Sequence, residues 1–241
     1  LLHVPVNVLS IGQVDQDELM KLGLYGADKV IKVEDAKLDG LDNQVYTQII
    51  AEVSTKENAS VVLLAHNNSG KALAPRLSVR LKGGLATAVI AIPDTMNPFS
   101  IKKKVFSGKA FANQVIATEV KILTLAQNSY ELTHNPKESV VESYSATQDI
   151  SPVTVLKSTN KQTGQILLSD AEIVVSGGRG MKAAENWGPI EELAEILGAA
   201  TACSRPVSDE GWRPHNEHTG QTGKIIAPNL YFAFGISGAI Q

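Results

Sequence analysis

The sequence predicts an α/β protein of two domains, each a mostly parallel, doubly wound sheet. Three observations carry this expectation. Short apolar runs alternate with segments of helical period through the first part of the chain. A stretch rich in Ser, Thr, Asn and Gln, from about Thr133 to Asp170, interrupts the alternation, and a second alternating block follows it. The length of 241 residues, 43% hydrophobic and 20% charged, is enough for two ordinary cores. The boundary is placed at residue 160, giving domains over 1–160 and 161–241.

The elements follow in order. Val4 to Ile11 is a short apolar run ending at Gly12 and reads as a buried strand. Asp17 is positioned to cap a short helix, and Gly26 closes the turn into a strand over Lys29 to Val33. Gln44 to Glu57 suits a helix with Val45, Ile49, Ile50 and Val53 on one face. Ser60 to Asn67, "SVVLLAHN", is a continuous apolar run of the buried parallel type. A helix carrying Leu73, Leu77 and Leu81 follows, stops at Gly83 and Gly84, and leads to a strand over Ala86 to Ile92. Phe99 to Leu132 is a succession of β-prone pieces broken at Ser107, Gly108 and Asn113, which predicts hairpins extending the sheet. Within the polar stretch, "SPVTVLKSTN" (151–160) reads as a strand crossing between the domains. The second block has a strand over Glu172 to Ser176, a turn over Gly177 to Gly180, a long helix to about Leu197, and strands over Ala199 to Cys203 and Asn229 to Phe234. "GISGAI" then reads as the opening of a helix.

Composition removes several function classes. With 22 Lys+Arg against 25 Asp+Glu, the net charge of −3 argues against nucleic acid as a principal partner. The single cysteine, Cys203, excludes an internal disulfide and any cysteine-cluster metal site made by this chain alone. It reads as a small buried hydrophobe rather than a nucleophile, because no His/Asp partner stands at a recognisable spacing. No apolar run approaches the roughly 20 residues of a membrane-spanning helix, and the first residues lack the pattern of a signal peptide. The spacings of HExxH, GxSxG and GxxxxGK[ST] are absent, so metalloproteolysis, serine hydrolysis and P-loop phosphoryl transfer have no visible machinery.

What remains is a convergence of strand ends. The strand before "SGGRG" runs into Gly177, Gly178, Arg179 and Gly180, where glycine lets backbone N–H groups approach an anion and Arg179 adds charge. Ser204 and Arg205 stand just outside the next strand's carboxyl end, where open α/β sheets place ligands. The polar loop after them carries His215, His218, Gln221 and Thr222, and the last strand ends at another glycine turn. Taken singly, each has a bland reading: a turn that binds nothing, a solvated arginine, solvated loop histidines. Three together, rich in donors and poor in acids and bases, suit a cofactor that carries its own chemistry.

At these residues the sequence resembles the α subunit of electron transfer flavoprotein, the FixB type. The matching stretches are "VVSGGRGMKAAENW", "ACSRPVSDEGW", "HTGQTGKIIAPNLYFAFGISGAIQ", "LLAHNNSGKALAPRLSVRL" and "FSGKAFANQVI". The resemblance implies an N-terminal domain like the adenine-nucleotide hydrolases and a C-terminal FAD-binding domain of the DHS type. It implies a heterodimer with a β subunit that often carries AMP. It implies an electron carrier, not an enzyme, taking electrons from dehydrogenases such as those acting on acyl-CoA in fatty acid oxidation and passing them to a quinone oxidoreductase or other acceptor. Neither nucleic acid nor membrane insertion is implied, and the location would be the bacterial cytoplasm or a mitochondrial matrix.

Carried over by position, Arg179 would lie near the FAD phosphates, Ser204 and Arg205 beside the flavin ring, and Thr219, Gly220, Gln221 and Thr222 along the ring and its neighbouring chain. Gly235, Ile236, Ser237, Gly238, Ala239, Ile240 and Gln241 would grip the ribityl and diphosphate portion. His218 has no clear role. The resemblance further implies one more strand and helix before Leu1 and, after Gln241, a histidine on the flavin and residues for the adenine, so the chain is expected to be trimmed at both ends. Two other readings compete: an oxidoreductase with an FAD- or NAD-binding domain, and a non-redox adenine-nucleotide-binding protein.

Overall fold

The computed structural model of the chain describes residues 4–35, 38, 40–106, 108–146, 166–220 and 222–238. The chain divides into two compact units, Leu1–Thr159 and Asn160–Gln241.

Among its described residues the first unit holds two sheets. One is parallel, in the order β1 (Asn7–Ile11), β2 (Lys29–Val33), β9 (Val140–Ser143). β2 is its middle strand and supplies the buried Val30, Ile31 and Val33. β1 is an edge strand and only partly covered, not buried as its apolar run suggests. β9 lies inside the polar stretch read as a linker. Four residues of moderate polarity, half of them valine, leave little periodicity to detect. The residues 151–160, expected to cross between domains, lie outside the described residues.

The other sheet has six strands in the order β3 (Val61–Ala65), β8 (Lys121–Leu125), β4 (Gly84–Val89), β6 (Phe99–Val105), β5 (Thr95–Met96), with β7 (Ala110–Ile116) on β6. β3, β8 and β4 are parallel; β5, β6 and β7 are antiparallel. The hairpin expectation therefore holds for β6 and β7 but not for β8, which returns into the sheet between β3 and β4. Asn113 is not a break; it sits inside β7 opposite Lys102. β3 is an edge strand among the described strands, and Leu63 is 58% exposed, so its continuous apolar run does not mark a fully buried strand.

The helices obey their sequence signals more closely. α2 (Asn43–Lys56) starts at Asp42, whose carboxylate accepts from the peptide N–H groups of Gln44 and Val45. Val45, Ile49, Ile50 and Val53 are its buried face. α3 (Asn68–Arg80) is capped by Asn67, which accepts from Gly70 N at 2.9 Å, and buries Leu73 and Leu77 against Ile122. α1 (Gln16–Met20) begins one residue after Asp15, so Asp17 lies within its first turn rather than capping it. Asp17 still favours that turn through the helix dipole.

The second unit is a parallel sheet ordered β11 (Ala200–Cys203), β10 (Ile173–Gly177), β12 (Leu230–Phe234). The long helix expected up to Leu197 is shorter. Two 3-10 turns, Arg179–Met181 and Ala184–Trp187, precede α4 (Gly188–Leu197). The physical reason is local: Pro189 is suited only to a helix's first turn, and glycines 178 and 180 keep the chain tied to the sheet edge before it. α4 lays Ile190 and Ala194 on Val175, Cys203 and Val207, and Gly198 ends it with φ +59°. Leu168, Ala171, Val174, Ala200 and Ala202 form a second cluster, to which Ile226 adds.

Candidate functional site

The register of the second sheet puts Gly177, Cys203 and Phe234 side by side, so the three strands end together. The chain leaves each end by a different device. After β10, Gly178 donates its N–H to Phe234 O and Gly180 to Gly235 O, both at 2.8 Å. A Cβ on Gly178 would stand 2.3 Å from Gly235 O, and one on Gly180 would stand 2.6 Å from Gly235 Cα. Only glycine permits these two turns to touch. A Cβ on Gly177 would collide with the buried Trp187 ring at 2.4 Å, so the indole closes the α4 side of this edge.

After β11, Ser204 is 6% exposed and donates its N–H to Gly177 O, and α5 (Arg205–Asp209) starts immediately. This start projects Arg205 outward: its side chain is 63% exposed and pairs with Asp209 at 3.2 Å. Arg179, 69% exposed, reaches Glu210 only at 3.8 Å. Both guanidinium groups therefore remain available to an anion in solvent. The loop then returns to the sheet, where Thr219 donates its N–H to Cys203 O and Lys224 donates to His218 O. Gly223 lies so close to His218 that a Cβ would be 2.5 Å from its carbonyl oxygen, and Gly220 takes φ +115°. Thr222 lies in this turn, while Gln221 is outside the described residues.

The comparisons decide what this edge belongs to. A profile described as the electron transfer flavoprotein FAD-binding domain matches residues 167–241, and one described as the electron transfer flavoprotein domain matches residues 2–149. The chain is 36% identical over 234 residues to the electron transfer flavoprotein subunit alpha of Bacillus subtilis, covering 96% of this chain and 72% of that one. It is 32% identical over 217 residues to the protein of the same name from Pseudomonas aeruginosa, covering 90% of this chain and 69% of that one. It is 29% identical over 240 residues to Protein FixB of Escherichia coli, covering 98% of this chain and 75% of that one. The chain belongs to the electron transfer flavoprotein alpha-subunit family.

FAD is the cofactor of this electron transfer flavoprotein domain, and the residues at the strand ends fit it. Glycines 178, 180 and 235 hold the turns after β10 and β12 against each other, Arg179 and Arg205 present two exposed positive charges at the same sheet edge, and Gly235 to Gly238 run without helix, with φ +63° at Gly235 and +70° at Gly238. The expected helix at "GISGAI" does not begin within 235–238, and Ala239, Ile240 and Gln241 lie outside the described residues. Ile236 is half-buried and Ser237 exposed.

The two loop histidines differ in setting. His215 shares a hydrogen bond with Ser208 Oγ through Nδ1 at 2.7 Å, and His218 is 9% exposed. Burial, with Glu217 adding to it, pushes the Cys203 thiol up to about 11, which agrees with reading it as a packing residue. Among the described residues no group of His, Cys, Asp and Glu is arranged to hold a metal ion, and no helix is long and apolar enough to cross a membrane.

Sequence reasoning missed what holds this edge rigid. Arg213 donates to both carboxylate oxygens of Glu217, at 2.8 and 2.7 Å, and to Glu191 at 2.6 Å. Its guanidinium carbon stands 5.7 Å from the Trp187 ring centroid. The Glu217 hydrogen bonds, chiefly, raise the Arg213 pKa above the ordinary arginine value. This ties the polar loop to α4. The spacing of Arg213 and Glu217, four apart, was the available signal. Thr219 Oγ1 and Tyr231 Oη, 3.3 Å apart, add a second tie between the loop and β12.

Proposed function

We propose that the chain carries FAD as one subunit of a heterodimer and relays electrons without transforming a substrate of its own. The reading rests on one observation: three parallel strands end in register at a glycine cradle flanked by two exposed arginines. Arg179 would face the diphosphate, Ser204 and Arg205 the ring, Thr219, Gly220, Gln221 and Thr222 the ring and adjoining chain, and residues 235–241 the ribityl and diphosphate portion. When bound, FAD supplies reversible uptake and release of electrons.

The protein's own contribution is binding, orientation and charge. A guanidinium fixed beside the ring favours its reduced, negatively charged form, because a positive charge a few Å away in a partly dry site is weakly screened. Trp187 and the Arg213–Glu217–Glu191 cluster would keep the supporting turns in place. The partner is a β subunit, the electron donors are dehydrogenases, the acceptor is a quinone oxidoreductase or its equivalent, and the location is the bacterial cytoplasm or a mitochondrial matrix. The 1–160 and 161–241 division would separate the subunit-pairing domain from the FAD-binding domain.

The test is the visible absorption of the chain purified with its β subunit, loaded with excess FAD and desalted. Flavin bands that persist support the reading, and their loss in Arg179→Ala/Arg205→Ala assigns the arginines. A complex that stays colourless, yet binds adenine nucleotides, favours the non-redox reading instead.

A further inference from the structure

The β6–β7 hairpin has a charge unlike that of the rest of the chain. Residues 95–118 contain four lysines, Lys102, Lys103, Lys104 and Lys109, and no acid, in a protein of net charge −3. The antiparallel register separates the hairpin into two faces. Phe99, Ile101 and Ile116 point into the core with Ala86, Val89 and Leu123, and Lys103 follows them inward to Thr87 Oγ1 at 3.4 Å. On the opposite face Lys104 stands across from Phe111, and Lys102 across from Asn113.

Most of that opposite face is uncovered, with Ser100 at its end buried. Phe111 is 62% exposed and Val115 54%, two positions of the same strand face. The Lys102 ammonium lies 6.0 Å from the Phe111 ring centroid. Among the described residues Lys102, Lys104 and Lys109 have no ion-pair partner. β7 pairs with β6 alone among the described strands, so it is an edge. An edge strand with aligned apolar side chains is a template for another strand unless charge opposes it. Here the charge is of one sign, so it repels a second copy of this hairpin and selects an acidic occupant.

We propose that the outer face of the β6–β7 hairpin is a docking surface for an acidic β-strand of a partner protein. Phe111 and Val115 are four residues apart, so apolar side chains at positions i and i+4 of the partner strand cover them, and the carboxylate at i+2, on that same strand face, meets Lys102 and Lys104. Phe106, 80% exposed, stands at the hairpin's turn, but Phe111 and Val115 carry the exposed apolar line inward along β7 beside the lysines, so a lipid surface, which takes the tip alone, is the lesser match. The inference is independent of FAD.

The experiment uses the full chain and a labelled synthetic peptide of repeating Leu-Thr-Glu-Thr, which puts leucine and glutamate on one strand face, followed by fluorescence anisotropy, with the β7 amide signals monitored by NMR. Saturable binding that shifts those signals, weakens as salt is raised, and falls about tenfold or more in Lys102→Glu/Lys104→Glu is the expected result. Lys102→Gln/Lys104→Gln should fall by a smaller factor, and Phe111→Ser should weaken binding at every salt concentration. Lys104 and Phe111 are exposed and Lys102 half-buried on the outer face, so unchanged circular dichroism certifies the variants. No saturable binding, equal affinity for a lysine–leucine peptide, or an affinity unmoved by the charge reversal overturns the proposal. So does binding confined to phosphatidylserine vesicles, which would make the face a membrane contact.

Discussion

Gly180 donates its peptide N–H to the carbonyl of Gly235 at 2.8 Å, and a Cβ built on either glycine falls within 3 Å of the other's backbone. The turn after β10 and the turn after β12 are thereby one surface. Gly180→Ala must push backbone against backbone, so we expect a loss of about 1–3 kcal/mol in urea unfolding, together with weaker FAD retention after desalting. A variant of wild-type stability and colour would mean that the two turns separate at no cost.

Arg205 lends itself to the opposite separation of effects. Its side chain is mostly in solvent and its pairing with Asp209 is a surface contact, so Arg205→Ala should leave the melting temperature within about a degree or two. The flavin potential, read from a reductive titration of the complex, should move to more negative values. Lys at this position should restore part of the shift. A potential unchanged in the alanine variant would remove Arg205 from the ring.

Arg213 is a support rather than a contact. Replacing it with Met leaves the Glu217 carboxylate, 16% exposed, without its bidentate partner. The expected destabilisation is about 2–4 kcal/mol. Arg213→Lys should recover less than half of it, because an ammonium cannot bridge Glu217 and Glu191 in the same plane. Equal stability for both variants would show that charge alone, without the fork geometry, holds the loop.

Tyr144 provides a test by pH. Its hydroxyl donates to Glu52 Oε1, and that bond, with burial, lifts the phenol from 10 to about 12. The folded value is the higher one, so the stabilisation is fully present below pH 10 and disappears as pH rises toward 12. Phenolate absorbance should show a component near pH 12, distinct from Tyr130, whose phenol burial also raises, and Tyr144→Phe should erase both that component and the associated slope of stability against pH.

Cys203 should behave as an inert core residue. With no exposed surface and a thiol pushed up to about 11, it should resist alkylation at neutral pH until the second unit opens. The labelling rate should therefore rise with urea in step with unfolding. Fast labelling in water would contradict its placement under α4.

Much of the fold was legible because its signals are local. Val45, Ile49, Ile50 and Val53 share a period, Leu73 and Leu77 mark the next helix, and glycine brackets the strands of the second unit. β8 was different: nothing in "KILTL" tells a hairpin strand from one inserted between β3 and β4, since that choice is made by partners distant in sequence. β3 misled for a related reason, as an apolar run marks strand tendency but not whether a neighbour covers both sides. At the site, the glycines and Arg179 and Arg205 stood out because strand-end turns have a spacing that can be read. The Trp187–Arg213–Glu217 support did not, because its members meet only once the loop has folded back.

β8 has a consequence for how the six-stranded sheet comes into being during synthesis. Its partners, β3 and β4, are both translated before it, yet neither can pair with the other across the gap that residues 121–125 fill. Until that segment leaves the ribosome, Val62, Ala86 and Val89 have no shared sheet to belong to. That sheet therefore closes late, its keystone the last of its strands delivered, and a chain stalled before residue 121 would have β4 resting on β6 while β3 stayed unmatched, open to whatever chaperone or neighbour is at hand.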